Sequence, residues 1–335
     1  MRTLKALTLA LAVSAALGVA GAAQADTSLN LANYQVTGTY ALDILNGTSG
    51  GISGLEASGV TYAKDRGSLF FVGDEGTGVV EISLTGQTLG HMDFNWTNTG
   101  STKHDTEGIT YMGNGTLVVG EERLYDAYKF NYVAGGSAML ANASVSISNA
   151  NVGNDGMEGI SYDPRNGGSF VTIKQDIPED ILAGTLSFAA NLGGTAQMSQ
   201  LFDPTKLGLS TLSDVQVLST VDSLSGTAGA NNLLFLSLGS RKLVEADRSG
   251  NVISSFDLSN ILPRNAIEGV TVDEKGNIYL VAEQIQDGIV PPLNPQSQLI
   301  VLSNVAAVPE PASATLMLVG ALGLFGFFKR KRLPR

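Results

Sequence analysis

The chain has 335 residues, of which 31 are acidic and 20 basic, giving a formal net charge of −11 at pH 7. A chain this acidic repels phosphate backbones and attracts cations, which argues against nucleic acid as a partner. Cysteine is absent, which excludes a disulfide framework, so the fold depends on a buried core. Only two histidines are present, His91 and His104, which leaves almost no material for a histidine-based zinc site.

The first 25 residues have the layout of a cleavable secretory signal. A basic start at Arg2 and Lys5 precedes an apolar run, and small residues follow at Ala23 and Ala25. This pattern predicts a signal peptide over residues 1–25 and export of the remainder.

A short sequence motif recurs along the rest of the chain. In each copy a small or polar residue stands directly before a short apolar run. In three copies this residue is a glycine preceded by glutamate, and in one copy Asp214 takes its place. The aligned positions are Gly59, Gly108, Gly159, Asp214 and Gly269, with steps of 49, 51, 55 and 55 residues. Repeats of this length with several strands each are typical of β-propellers.

Turn residues divide each repeat into four short strands. In the second unit GITYM and TLVVGE form a hairpin, RLYDAYKFNYV supplies a third strand and ASVSIS a fourth. Four antiparallel strands make one propeller blade. The sequence therefore predicts an all-β fold, a five-bladed β-propeller with four-stranded antiparallel blades, over residues 26–308.

The last unit lacks a fourth strand, and a spare strand precedes the first unit. Residues 31–44 include YQVTGTYALDI (34–44), which resembles the fourth-strand phrase NVISSFDLSN of the fourth unit. We expect them to complete the blade formed by residues 266–305, because ring closure leaves no bare strand edge.

Three stretches resemble the SdiA-regulated (YjiK-like) β-propeller family: LEASGVTYAKDRGSLFFVGDEG, DTEGITYMGNGTLVVGEER and LGLSTLSDVQVL. The similarity extends over residues 31–304 and implies a five-bladed propeller of the cell envelope with a bound calcium ion. It also implies distant similarity to phytase-like and NHL-type propellers. The chain departs from the pattern at Lys174 and Gln175, where a second acid is expected, and at Ser213 and Asp214, which replace Glu-Gly.

The C-terminal end combines VPEP, a Gly-rich apolar span and a basic cluster. The 17 uncharged residues at 312–328 are followed by lysine and arginine at 329–332. Such a span is at the lower length limit for a transmembrane helix, and the basic cluster would remain on the cytoplasmic side. A permanent tail anchor is one interpretation.

The same three parts, in this order, resemble the PEP-CTERM sorting signal of Gram-negative bacteria that make extracellular polysaccharide, here over residues 309–335. The resemblance implies an exosortase as processing partner, with cleavage near residues 309–311. It also implies transient anchoring in the inner membrane, followed by display at the cell surface or release from the cell.

Acidic residues stand where the strands of several blades begin and end. The start of a first strand and the end of a second strand lie on the same rim of an antiparallel hairpin. If the first strands are innermost, these carboxylates converge on the channel mouth, where they repel one another unless a cation lies among them. Calcium takes six to eight oxygen ligands and suits such a ring. The predicted metal ligands are Glu107, Glu158, Glu268, Glu56 and Asp74.

A structural explanation of the Glu-Gly pairs stays open beside the metal. Glycine is also required where backbones approach closely, and glutamate can accept N–H bonds from a neighbouring blade. Trp96 either covers a blade edge or offers a stacking surface, and His104 is expected in a solvated loop.

Two functions follow from this pattern together with what the two family resemblances imply. The first is a secreted or surface-displayed calcium-binding propeller that acts as a binding or structural module in an exopolysaccharide matrix, with a polysaccharide or small anionic ligand as partner. The alternative is a calcium-dependent, phytase-like phosphoesterase or a lactonase, with Glu122 or Glu283 as general base. Lys174 and Arg241 are candidates for holding an anionic substrate, or else form ordinary salt bridges to the rim acids.

Overall fold

The computed structural model describes residues 27–42, 56–74, 77–148, 152–175, 179–283 and 297–305. The predicted signal peptide and the apolar segment at 312–328 lie outside these residues. Within the described ranges, no helix has the length and apolar character needed to cross a membrane.

The described chain forms twenty-one strands and seven short 3-10 helices. In chain order the strands are β1 (Tyr34–Ala41), β2 (Ala57–Ala63), β3 (Ser68–Gly73), β4 (Gly78–Ile82), β5 (Thr88–Asn95), β6 (Thr106–Gly113), β7 (Thr116–Glu121), β8 (Asp126–Asn131), β9 (Ser137–Met139), β10 (Ser144–Ser146), β11 (Met157–Asp163), β12 (Ser169–Lys174), β13 (Asp180–Ser187), β14 (Thr195–Gln200), β15 (Asp214–Val217), β16 (Leu233–Ser237), β17 (Lys242–Ala246), β18 (Val252–Asp257), β19 (Ile267–Val272), β20 (Ile278–Ala282) and β21 (Gln298–Asn304). The 3-10 helices are Leu31–Asn33, Leu140–Asn142, Arg165–Gly167, Ala190–Leu192, Pro204–Leu207, Asp222–Leu224 and Ala228–Asn231.

The strands form five sheets, one for each predicted blade. From the axis outward, the orders are β2-β3-β4-β5, β6-β7-β8-β10, β11-β12-β13-β14, β15-β16-β17-β18 and β19-β20-β21-β1. The innermost strands contact one another in a closed ring, in the order β2, β6, β11, β15 and β19. The five-bladed propeller with four-stranded antiparallel blades is therefore confirmed. One feature was not predicted, because β9 pairs parallel with β5 and adds a fifth strand to blade one.

The N-terminal strand closes the ring as expected. β1 pairs antiparallel with β21, from Tyr34 opposite Asn304 to Ala41 opposite Gln298. The Tyr34 hydroxyl also donates to the carbonyl oxygen of Gly276 at 2.7 Å. Blade five thus combines both ends of the described chain.

The core lies between the blades. Buried apolar side chains form five clusters, one at each interface between neighbouring blades. Large rings such as Phe70, Tyr128 and Phe235 are fully buried in these clusters. Burial of both faces explains why the second strands β3, β16 and β20 have nearly continuous apolar runs rather than a strict alternation.

A belt of side-chain hydrogen bonds sets the register between inner strands. In four blades a threonine or serine, two residues after the aligned glycine, accepts a backbone N–H from the next blade. The pairs are Thr61 with Tyr111 (3.0 Å), Thr110 with Tyr162 (2.9 Å), Ser161 with Val217 (3.0 Å) and Thr271 with Tyr62 (3.0 Å). In blade four, Gln216 completes the belt by accepting from the hydroxyl of Thr271 at 3.1 Å.

Trp96 packs into an aromatic cluster at the outer part of blades one and two. Its ring meets Phe94 and Tyr128 edge to face and stacks on His104, with centroids 4.9 Å apart. Trp96 therefore covers a blade edge, and His104 is a packed residue rather than a freely solvated one.

Candidate metal centre at the channel mouth

The glutamate of each Glu-Gly pair sits at a β-bulge in the innermost strand. The register with the second strand shifts between Thr106 and Ile109, between Met157 and Gly159, and between Ile267 and Gly269. A bulge leaves one residue unpaired and re-aims its side chain. The bulged residues Glu107, Glu158 and Glu268 all line the cavity at the channel mouth.

Glycine follows the bulge because the next blade leaves no room for a Cβ. A Cβ on Gly59 would lie 2.1 Å from the carbonyl oxygen of Glu107, and one on Gly269 would lie 2.5 Å from that of Ser58. Close packing at the axis, which the sequence left open as an explanation, therefore accounts for the glycines. It does not account for the glutamates.

The channel mouth holds a cavity of about 290 Å³, called here the acidic cavity. Its wall includes two side-chain amides, Asn154 and Gln175, and seven carboxylates from four of the five blades. The carboxylates are Asp74, Asp105, Glu107, Glu122, Glu158, Glu268 and Glu283. Four of the five predicted ligands and both candidate bases are thus brought together.

Three of these carboxylates form the tightest group. Oxygen atoms of Asp74, Asp105 and Glu107 lie within 4.8 Å of one another. A cation between them would bridge blades one and two, because Asp74 directly follows β3 and Glu107 lies in β6.

Burial and mutual repulsion disfavour ionisation in the acidic cavity. Burial, followed by the charges of Glu158 and Glu268, raises the pKa of Glu107 well above its usual range. Burial and then the charge of Glu122 do the same to the pKa of Glu158. Burial and then the charge of Glu268 raise the pKa of Glu283 to about 10. A bound cation would reverse this balance, since it stabilises the ionised form of each carboxylate.

Asp105 is a cavity residue that the sequence analysis did not select. It is 2% exposed, and burial raises its pKa even though Arg123 lies 2.5 Å away in a salt bridge. The guanidinium of Arg123 also donates to the side-chain oxygen of Asn154. Asp105 stands two residues before Glu107, so alternation along the strand was the signal available for finding it.

Blade four contributes no acid to the acidic cavity among the described residues. Asp214, which occupies the glycine position there, turns its carboxylate toward backbone instead. One oxygen accepts the N–H of Val215 and the other that of Val270 in blade five, both at 2.7 Å. Blade four presents Leu238 to the cavity, so the carboxylate ring is lopsided.

The remaining predicted site residues lie beside the acidic cavity rather than in its wall. The backbone carbonyl oxygen of Glu56 accepts the N–H of Asp74 at 3.1 Å. The side-chain charge of Glu56 contributes to the raised pKa of Glu283. Lys174 pairs in register with Asp180 of the third strand; burial raises the pKa of Asp180, and the charge of Lys174 offsets part of that rise. Arg241 donates to the carbonyl oxygens of Ile261, Leu262 and Asn265 at 2.7–3.0 Å.

Comparison with known proteins gives two family matches. The SdiA-regulated family model matches residues 32–284, and the PEP-CTERM protein-sorting motif matches residues 307–332. The sorting motif implies export and processing by an exosortase.

Two solved structures align with most of this chain at low similarity. The β-propeller domain of Myceliophteria thermophila Cps50 (Swd1) has 12% identity and a TM-score of 0.37, covering 77% of this chain and 70% of its own. A luciferin-regenerating enzyme has 10% identity and a TM-score of 0.43, covering 83% of this chain and 95% of its own. Sequence identities and TM-scores this low assign no function to the chain.

Proposed function

Because the chain belongs to the SdiA-regulated family of β-propellers, we propose that it is an exported calcium-binding propeller that acts as a binding or structural module outside the cell. The observation that carries this proposal is the acidic cavity. Seven carboxylates share about 290 Å³, and three of them place oxygen atoms within 4.8 Å of one another.

The donor set suits calcium better than other common ions. Zinc prefers histidine and cysteine ligands, and the cavity wall described here contains neither. Calcium accepts six to eight oxygens in irregular geometry, and mixes carboxylates with amide carbonyls and water. Asp74, Asp105 and Glu107 would hold the ion, with Glu158 and Glu268 near enough to complete the set. When bound, the ion would neutralise the cavity and tie the blades together.

The two ends of the chain support a location outside the cell. Residues 1–25 have the pattern of a secretory signal, and the sorting motif covers residues 307–332. We infer transient anchoring in the inner membrane, exosortase processing, and final placement at the cell surface or in the surrounding matrix.

A calcium-dependent phosphoesterase or lactonase is the second candidate, favoured by one observation. Glu122 and Glu283, the residues considered as general bases, line the same cavity as the proposed ligands. The basic residues assigned to an anionic substrate support it less well, because Lys174 and Arg241 point to partners outside the cavity wall. We therefore favour the binding module.

Calcium should stabilise the folded protein. The gain in free energy of unfolding is about 2.7 kcal/mol at a calcium concentration 100-fold above Kd. In a domain of this size that corresponds to a rise in melting temperature of several degrees. Differential scanning calorimetry of the mature domain in EDTA, calcium and magnesium measures it.

The double variant Glu107→Gln, Glu158→Gln provides the decisive comparison. It should melt higher than wild type in EDTA, because neutral amides replace two carboxyl groups that must either take up a proton or bury a charge on folding, and it should lose most of the calcium response. Asp257→Asn, an acid-to-amide change at an exposed turn outside the cavity, should keep the full response. An undiminished calcium shift in the double variant would refute the cavity as the site. Calcium-dependent hydrolysis of phytate, a phosphodiester or a lactone that requires Glu122 would instead favour the enzyme.

A further inference from the structure

The opposite mouth of the channel carries a second cavity, called here the tyrosine pocket. It lies at the far ends of β2, β6, β11, β15 and β19, so all five blades contribute to its wall. Its volume is about 330 Å³, within the usual range for small-molecule sites. Among the described residues, it shares no side chain with the acidic cavity.

Three half-buried tyrosines from consecutive blades form the apolar part of the pocket. Tyr62, Tyr111 and Tyr162 each donate their backbone N–H to a threonine hydroxyl of the preceding blade. These hydrogen bonds belong to the belt and fix the backbone of the three tyrosines. Each ring is also held by a second aromatic ring. The pairs are Tyr62 with Tyr279 (6.4 Å, 8°), Tyr111 with Phe70 (5.9 Å, 17°) and Tyr162 with Phe170 (5.1 Å, 50°). The rings are therefore rigid flat surfaces, already in place before a ligand arrives.

The polar part of the pocket offers acceptors more than positive charge. The carboxylate of Glu274 lines the wall and is hydrogen-bonded to the side chain of Tyr62. Asp65 also lines the wall, while the ammonium group of Lys64 lies 3.1 Å from Asp222. An anionic ligand would add to the acidic charge, so the wall does not favour it.

We propose that the tyrosine pocket binds a neutral saccharide unit of about one ring, either free or within a longer chain. A sugar ring presents C–H faces that pack on aromatic side chains, and its hydroxyls donate to carboxylates such as Glu274. The cavity volume of about 330 Å³ lies in the range of small-molecule sites.

This inference rests on the proposed binding role and gives it a ligand class, but it does not require the cation. The two sites can therefore fail separately. If the protein binds a saccharide but its melting temperature does not respond to calcium, only the proposed metal site is overturned. If it responds to calcium but binds no saccharide, only the proposed saccharide site is overturned.

Saturation-transfer NMR of the mature domain tests the pocket. The probes are glucose, galactose and mannose, a soluble neutral glucan, and tetramethylammonium as a cationic control, each in calcium and in EDTA. We expect signal transfer to at least one neutral hexose or to the glucan in both buffers. Stronger transfer to the glucan than to its monomer would identify the polymer as the source of the sugar.

Two variants locate the binding. Glu274→Gln should weaken saccharide binding about tenfold or more, the usual effect of losing a hydrogen bond to a charged group. Tyr162→Ala should remove one stacking surface, with near-ultraviolet circular dichroism and the melting temperature as checks of folding. Lys275→Ala, an exposed neighbour outside the pocket wall, is the matched control and should bind as wild type does.

Three outcomes would overturn the proposal. The first is no transfer to any of the neutral sugars by the wild-type domain. The second is undiminished saccharide binding in both Glu274→Gln and Tyr162→Ala, which would place the ligand elsewhere. The third is specific binding of tetramethylammonium without any sugar, which would make the pocket an aromatic cation site.

Discussion

At the scale of single residues, the two members of each Glu-Gly pair have separate roles. Glycine allows the inner strand to pack directly against the backbone of the next blade. The bulge turns the side chain of the preceding glutamate into the channel. Asp214 shows what a side chain at the glycine position requires. It is accommodated in blade four because one of its carboxylate oxygens accepts the backbone N–H of Val270 in blade five. A hydrogen bond thus takes the place of the close backbone contact that glycine permits in the other blades.

Gly59→Ala should therefore be far more damaging than an alanine elsewhere. The added methyl would lie 2.1 Å from the backbone oxygen of Glu107, which cannot move without separating blades one and two. We expect a loss of about 3 kcal/mol or more in the free energy of unfolding, at or above the usual range for overpacking. Urea unfolding followed by tryptophan fluorescence measures it.

Gly208→Ala is the matched control for this change. Its Cβ would meet nothing within 4 Å, although φ is +63°, so it should lose only about 1 kcal/mol through backbone strain. Equal losses for the two variants would show that blade packing is not what the aligned glycine serves.

At the scale of elements, the sequence predicted strands better than side-chain directions. The repeat of Gly59, Gly108, Gly159 and Gly269 fixed the first strand of four blades, because the same steric requirement recurs in each. The extra strand Ser137–Met139 was missed, since three residues leave no periodic pattern to detect.

The acidic cavity was predicted in outline for a similar reason. Hairpin geometry places strand ends on one rim, which was sufficient for Glu107, Glu158, Glu268 and Glu283. It does not say which way a strand-end side chain turns, so Lys174 and Arg241 were assigned to the channel although each meets partners elsewhere. The turn depends on bulges and inter-blade contacts that form only in the assembled ring.

Removal of the N-terminal strand should prevent folding. Deletion of residues 26–45 exposes the edge of β21 and removes the buried Leu31 and Tyr34. We expect no cooperative thermal transition by calorimetry. A synthetic peptide of residues 27–42, added in trans, should restore part of it, because it can pair with the open edge as β1 does. A truncated protein that melts cooperatively by itself would contradict ring closure by β1.

At the scale of the whole molecule, the two mouths of the channel differ in their chemistry. One mouth collects seven carboxylates, and the other collects three tyrosines with the carboxylates of Asp65 and Glu274 beside them. The hydroxyl belt lies on the inner strands between them and joins neighbouring blades around the ring. A cation at the acidic mouth would therefore act on a rigid ring rather than on one loop.

The calcium-free protein should lose stability as pH rises, and calcium should reduce that loss. The folded-state pKa values of Glu107, Glu158 and Glu283 are raised, to about 10 for Glu283, above an unfolded value of about 4.3. Their contribution is complete below the unfolded value and declines as pH passes upward through the folded values. The melting temperature in calcium-free buffer should fall between pH 5 and pH 9, more steeply than for the variant Glu107→Gln, Glu158→Gln. Excess calcium should flatten the wild-type curve because the ion stabilises the ionised carboxylates. Parallel curves with and without calcium would show that these groups do not face a bound cation.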